Sequence, residues 1–138
     1  FRPGTNMVDV QTSKAHFGLS ICYDVRFAGL YRKLAQQGAE IITIPAAFTR
    51  PSGQAHWHVL QRARAIETGC FVLASAQIGT HDDGRETYGH SLIVNPWGEV
   101  LADAGTMEEG FVTAVLDLDE VVIARQRIRN LQHAPNYS

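Results

Sequence analysis

Apolar and polar residues first alternate along this chain in short runs. The spacing then switches to threes and fours, twice, before a second set of short runs. Met7 to Val10 and Phe17 to Ile21 alternate and predict strands, joined by a polar turn around Thr12 and Ser13. From Phe27 to Gln37 the spacing predicts a helix, with Leu30, Tyr31 and Leu34 on one face and Gly38 placed as its stop. Glu40 to Pro45 is a β-branched run closed by proline and predicts a buried strand. Gly53 then opens a longer predicted helix, Gln54 to Thr68, whose Trp57, Leu60, Ala63 and Arg64 share a face and which Gly69 ends. Cys70 to Gln77 is the next predicted strand.

Strand, helix, strand, helix, strand with short connections is the pattern of parallel βαβ units, so the class is α/β. After the polar turn His81-Asp-Asp-Gly-Arg85 the pattern changes. His90 to Val94, the turn Asn95-Pro-Trp-Gly98 and Glu99 to Ala102 predict a hairpin, followed by a strand from Phe111 to Leu116. These supply an antiparallel edge to a mixed sheet. Asp117 with Glu120 predicts a capping box for a last helix through Ile128, and Asn130 to Ser138 is a tail. With no repeat, linker or low-complexity tract, residues 1–138 are expected to form a single domain.

Composition narrows the function classes. A formal charge of −2 offers no basic footprint for nucleic acid or an anionic membrane. No apolar run reaches the roughly 18 residues that span a bilayer. Two cysteines, without a CxxC spacing or a disulfide-dense frame, suit free thiols and a reducing, cytoplasmic compartment. The sequence opens on Phe1 and the turn Arg2-Pro3-Gly4 with no element before it, which fits either a piece of a longer protein or trimming.

Ligands of an open parallel sheet bind beyond the carboxyl ends of its strands. Those ends run from Ile21 into Cys22, from Ile44 into Pro45 to Arg50, and from Ala76 into Gln77 to Thr80, so Cys22, Phe48, Thr49 and Gln77 are expected around one crevice. A thiol at such a turn is displayed as a nucleophile, with the next backbone N–H free to face an oxyanion. Taken by itself the segment equally fits a small buried thiol. Cys70, which starts its strand at the opposite edge, is assigned to the core. Asp24 and Arg26 more often brace such a turn than serve a thiol. Among the histidines, His56 and His58 are two apart on a helix and do not share a face, His90 precedes a strand, and His133 lies in the tail. None has metal-ligand spacing, so neither a metal site nor a cofactor is expected, and no general base is evident.

Ser20-Ile-Cys-Tyr-Asp-Val-Arg-Phe27 closely resembles the nucleophile motif of the nitrilase superfamily of carbon–nitrogen hydrolases. The likeness continues through Phe1-Arg-Pro-Gly4, Pro45-Ala-Ala-Phe48, His56-Trp57, Arg62-Ala-Arg-Ala-Ile-Glu67, Tyr88-Gly-His-Ser91 and Asn95-Pro-Trp-Gly-Glu-Val-Leu-Ala102. Within the superfamily the chain looks most like the Nit branch, which includes ω-amidase and the amidase of deaminated glutathione. The resemblance implies the C-terminal half of a four-layer αββα sandwich, a mixed sheet with helices on one face. It implies Cys22 as nucleophile, the Tyr23 amide as oxyanion donor, and a base glutamate and a lysine upstream of Phe1, so the chain alone should be chemically incomplete. A small carboxylate-bearing amide is the implied substrate, with Arg26, Phe48, Thr49, Gln77 and also Arg50 as candidates to bind it. The family commonly pairs as homodimers through the helices at Phe27 to Gln37 and Gln54 to Thr68, with the Asn130 to Ser138 tail near the interface. Two departures stand out: His58 replaces the usual glutamate of a His-Trp-Glu pattern, and Ala28-Gly29 replaces Pro-Glu. Nitrile hydrolysis by the same residues and a non-catalytic binding or assembly module are the competing readings. A redox-sensing thiol is a weaker one, since no resolving cysteine lies nearby.

Overall fold

The computed structural model describes residues 4–106 and 109–133. Its centre is a six-stranded sheet in the order β1-β2-β3-β4-β7-β8, formed by Val8–Gln11, His16–Leu19, Ile41–Thr43, Phe71–Ala74, Leu92–Val94 and Val100–Asp103. β2, β3 and β4 run parallel, and β1, β7 and β8 add antiparallel edges. The crossovers are α1, Ala28–Gln36, and α2, Arg50–Thr68. Both cover one face, where Tyr31, Ala35, Trp57 and Ala65 pack on Ile42, Ile44, Val72, Ala74, Leu92 and Val94.

The opposite face is apolar but only partly covered. Strand register aligns Val8, Leu19, Thr43, Leu73, Ile93 and Ala102 in one row across the whole sheet. Leu116, Leu118 and Val121 pack against Ala15, Phe17, Ile41, Phe71 and Leu73 on this side. At its β1 edge Val8 remains 53% and Leu19 38% exposed. No helix among the described residues is long and apolar enough to cross a membrane.

Several boundaries differ from those expected. β2 stops at Leu19, two residues early, and Ser20 just beyond it still bonds the Thr43 carbonyl of β3 through both its N–H and its hydroxyl. α2 starts at Arg50 with Pro51 in its first turn rather than after Gly53. Gly53 sits inside the helix because a Cβ there would lie 2.2 Å from the Tyr88 Cβ. The buried face of α2 carries Trp57, Gln61, Arg64 and Thr68, whereas Leu60 is only partly buried. Phe111 to Leu116 is extended and alternates in exposure, yet joins no strand of the described residues, so that expected strand is absent here. The last helix, α3, spans Asp119–Arg127 without a side-chain cap. The expected capping box is replaced by a turn in which the Asp117 carboxylate accepts from the Asp119 N–H. The turn at His81 to Arg85 is flanked by a small hairpin, β5 Ile78–Thr80 with β6 Glu86–Tyr88. Phe1 to Pro3 and the tail from Ala134 lie outside the described residues.

Two glycine substitutions should separate packing from propensity. Gly53→Ala forces the Tyr88 side chain out and should cost about 1–3 kcal/mol in urea unfolding. Gly29→Ala meets nothing within 4 Å and should stabilise by about 0.4–1 kcal/mol.

Candidate active site

Cys22 opens a 3-10 turn, Cys22–Arg26, just beyond the carboxyl end of β2. Its φ is +49°, a left-handed conformation uncommon for a residue with a side chain. The position is held from several sides. The Cys22 N–H donates to the Pro45 carbonyl at 2.8 Å, and the Asp24 carboxylate accepts the Ile21 N–H at 2.9 Å. Asp24 therefore braces the turn. Arg64, buried on α2, donates from Nε to the Val25 carbonyl at 2.8 Å and from Nη1 to Glu67 at 2.6 Å. From α1, the Tyr31 hydroxyl donates to Ser20 Oγ at 2.7 Å, and the Ser20 hydroxyl in turn donates to Thr43 O at 2.9 Å. Burial pushes the Tyr31 phenol up to about 12, outweighing the opposing effects of the Ser20 hydrogen bond and the Arg64 charge.

The thiol is partly exposed in an open groove of about 510 Å³ lined by Ile21, Cys22, Pro45 to Ala47, Ser75 to Gln77 and Ser91. Among these lining residues only Cys22 carries a titratable side chain. The Tyr23 N–H has no acceptor among the described residues, while the Tyr23 ring is exposed beside Phe27.

The expected site residues separate. Cys22 and Gln77 share the groove wall, and Tyr23 follows Cys22 in the chain without lining the groove. Arg26 lies beside it, its guanidinium 5.4 Å from the Tyr23 ring centre and 5.2 Å from that of Phe48. It also approaches His56 Nδ1 at 3.4 Å. Phe48 is buried under Arg26 against Trp57. Thr49 precedes α2, with its hydroxyl on Ser52, and Arg50 pairs with Glu86 at 3.0 Å over a separate groove of about 390 Å³. Cys70 is fully buried, its thiol 3.2 Å from the Ala39 carbonyl and approached by Arg125 at 3.1 Å. Burial raises its thiol pKa, the Arg125 charge only partly opposing.

Sequence spacing missed three features. Ser91 reaches the groove, where its hydroxyl accepts the Ala76 N–H at 3.0 Å. Arg64 reads as part of an amphipathic face and turns out to clamp the thiol turn. The third is a cluster of His58, His90 and Asp103. The His58 Nε2 to Asp103 distance is 3.0 Å, and that from His90 Nδ1 is also 3.0 Å. Sheet register sets Asp103 opposite Leu92, on the face that α2 covers, which is why it meets His58. Burial pushes the Asp103 carboxyl up, but hydrogen bonds from His58, the Gly105 N–H and His90 outweigh that and hold it below the ordinary carboxylate range. The sequence separations of these three residues show no metal-ligand spacing, and their grouping is created by the fold.

Comparison with known proteins agrees with this arrangement. A family model for carbon-nitrogen hydrolases matches residues 1–126, and the chain belongs to that family. It is 50% identical over 121 residues to the deaminated glutathione amidase of Synechocystis sp., covering 88% of this chain and 44% of that protein. The chain thus spans less than half the length of that relative. The crystal structure of the C. elegans NitFhit protein superposes with a TM-score of 0.88 at 42% identity, covering 96% of this chain and 32% of that one. An amidase variant from Nesterenkonia sp. AN1, with acrylamide added at its active-site cysteine, superposes with a TM-score of 0.75 at 26% identity, over 96% of this chain and 52% of that one.

Two outcomes check the local chemistry. Iodoacetamide followed by peptide mapping should label Cys22 well before Cys70, and the reverse order would remove Cys22 as the displayed thiol. Because the Tyr31 pKa is raised by folding, its contribution to stability is complete below pH 10 and is lost as pH rises through about 12. Tyr31→Phe should flatten that alkaline fall in urea midpoints relative to wild type.

Proposed function

We propose that this chain supplies the nucleophile and much of the groove wall of an amidase that hydrolyses a small carboxylate-bearing amide. The observation that carries this reading is Cys22, strained into a left-handed turn over an open groove beside the unengaged Tyr23 N–H. The Cys22 thiolate attacks the amide carbon, and the Tyr23 N–H stabilises the oxyanion that forms. The C–N bond breaks as the leaving nitrogen takes a proton, leaving a thioester and ammonia, and water then releases the acid. No base lines the groove among the described residues. The glutamate and lysine implied by the family come from the rest of the protein.

Gln77 and Ser91 present polar groups to the amide. Arg26 at the rim, stacked on Tyr23 and Phe48, is the candidate for the substrate carboxylate, because a guanidinium fork suits that anion. Phe48 supports it from below, and Thr49 and Arg50 border the neighbouring groove. Residues 1–138 form one part of a single hydrolase domain in this reading. The apolar row from Val8 to Ala102 packs against a second sheet from the rest of that domain, completing four layers. The protein pairs as a homodimer through α1 and α2, and α2 carries the exposed Val59 and Ile66. Two free thiols suit a reducing cytoplasmic setting. The empty complement of groove bases supports a second reading, a binding or assembly module without turnover.

Ammonia release by the full-length protein from deaminated glutathione or α-ketoglutaramate separates these readings. Turnover of at least one, in preference to nitriles, is expected and should vanish in Cys22→Ala. Arg26→Gln should raise KM about tenfold while leaving kcat within a few-fold. Residues 1–138 alone should be inactive. Undiminished turnover in Cys22→Ala would overturn the nucleophile, and an inert full-length protein would favour the binding module.

A further inference from the structure

The reaction proposed above makes no use of His58, His90 and Asp103, yet these side chains converge from three separate elements: α2, the turn before β7, and the end of β8. One potential ligand atom from each lies within 4.8 Å of the other two. From this geometry we propose that the cluster is a binding site for one divalent cation of the zinc class, ligated by the two imidazoles and the carboxylate.

The donor set selects the ion. Two imidazole nitrogens with one carboxylate suit zinc, nickel or copper, whereas magnesium and calcium favour all-oxygen shells. Adjacent ligands of a tetrahedral zinc are about 3.3 Å apart. The 3.0 Å separations between Asp103 and each histidine need only a few tenths of an ångström of widening, while the two imidazole nitrogens, which lie within 4.8 Å of each other, close by up to about 1.5 Å through rotation of the rings. Both imidazoles already aim a nitrogen at one carboxylate, so the cation replaces the protons now shared there. Three protein ligands leave a fourth position for water.

The surroundings hold this geometry. The Gly105 N–H donates to Asp103 Oδ1 at 2.7 Å and fixes the carboxylate. His90 is pinned through its backbone, its carbonyl accepting the Trp57 indole N–H at 2.7 Å and its N–H donating to Gly105 O at 2.8 Å. Its ring stacks on Tyr88 at 4.4 Å, and His58 meets it edge-on at 5.0 Å. A bound cation would tie α2 to β8 and to the segment that carries Ser91 into the Cys22 groove.

The test is zinc titration of the untagged protein near neutral pH, in a Cys22→Ala background so that the exposed thiol cannot be the ligand. Calorimetry should show one equivalent bound, with a rise in melting temperature that magnesium does not give. His58→Gln and Asp103→Asn should each weaken binding by about tenfold or more, whereas His56→Gln, on the same helix, should not. Circular dichroism checks that each variant is folded. With every histidine intact, zinc should shift the ring resonances of His58 and His90 in NMR spectra, a readout independent of any variant's folding. Zinc affinity undiminished in His58→Gln and Asp103→Asn, or the absence of binding and ring shifts up to roughly millimolar zinc, would overturn the proposal.

Discussion

The left-handed backbone at Cys22 is the constraint on which the rest of the site depends. A residue with a side chain at φ +49° carries a conformational cost on the order of 1 kcal/mol or more. Such a turn persists only where its surroundings over-determine it. Here the restraints come from every element on one face of the sheet: Pro45 after β3, Tyr31 on α1 acting through Ser20, and Arg64 on α2 holding the Val25 carbonyl. The parallel βαβ order is what makes this possible. It sends both crossovers over the same face and brings successive strand ends to one edge.

The two faces of the sheet are finished differently. Beneath α1 and α2, Ile42, Ile44, Val72 and Val94 are fully buried. The row on the other side is nearly as apolar in sequence yet stays partly open. The same asymmetry recurs in the segment from Phe111 to Leu116, whose alternation is that of a strand although no partner for it lies among the described residues. Phe111 is 84% and Val115 93% exposed.

Much of this was legible in the sequence because strand and helix periods are local signals. The three parallel strands, both crossover helices and the edge hairpin all follow from patterns a few residues long, whereas the local segment left Cys22 equally open to burial. What the sequence concealed was non-local. Gly53 reads as the residue that opens the helix, and only its close approach to Tyr88 explains a glycine inside α2. The helical period puts Arg64 on the face shared with Trp57 but does not mark Gln61, and both are buried. Arg64 tolerates burial because Val25, Glu67 and the Tyr31 ring receive its guanidinium. Phe48 and Thr49 follow the correct strand end, but the chain turns there into α2 and carries them away from the Cys22 groove. His58, His90 and Asp103 escaped notice for the same reason: their sequence separations mean nothing until the β7–β8 register and α2 bring them together.

A groove that holds a thiol but, among the described residues, no base places a demand on the scaffold if that thiol is to react. When reacting groups come from different segments, the position of the thiol must be set independently of whatever completes the site. A misplacement of about 1 Å can cost roughly a hundredfold in rate. The restraints on Cys22 meet that demand, since each of them lies within the described residues. They arise from the covered face of the sheet and none from the open one. The Cys22 turn is therefore fixed by packing that is already complete, and it does not depend on whatever covers the open face. The wall opposite the thiol has a comparable anchor. Ser91 is held to Ala76, and its neighbour His90 is fastened to Trp57, Gly105 and Asp103. Both sides of the groove are thus tied to α2, through Arg64 on one and Trp57 on the other, which makes that helix the element that sets the width of the groove.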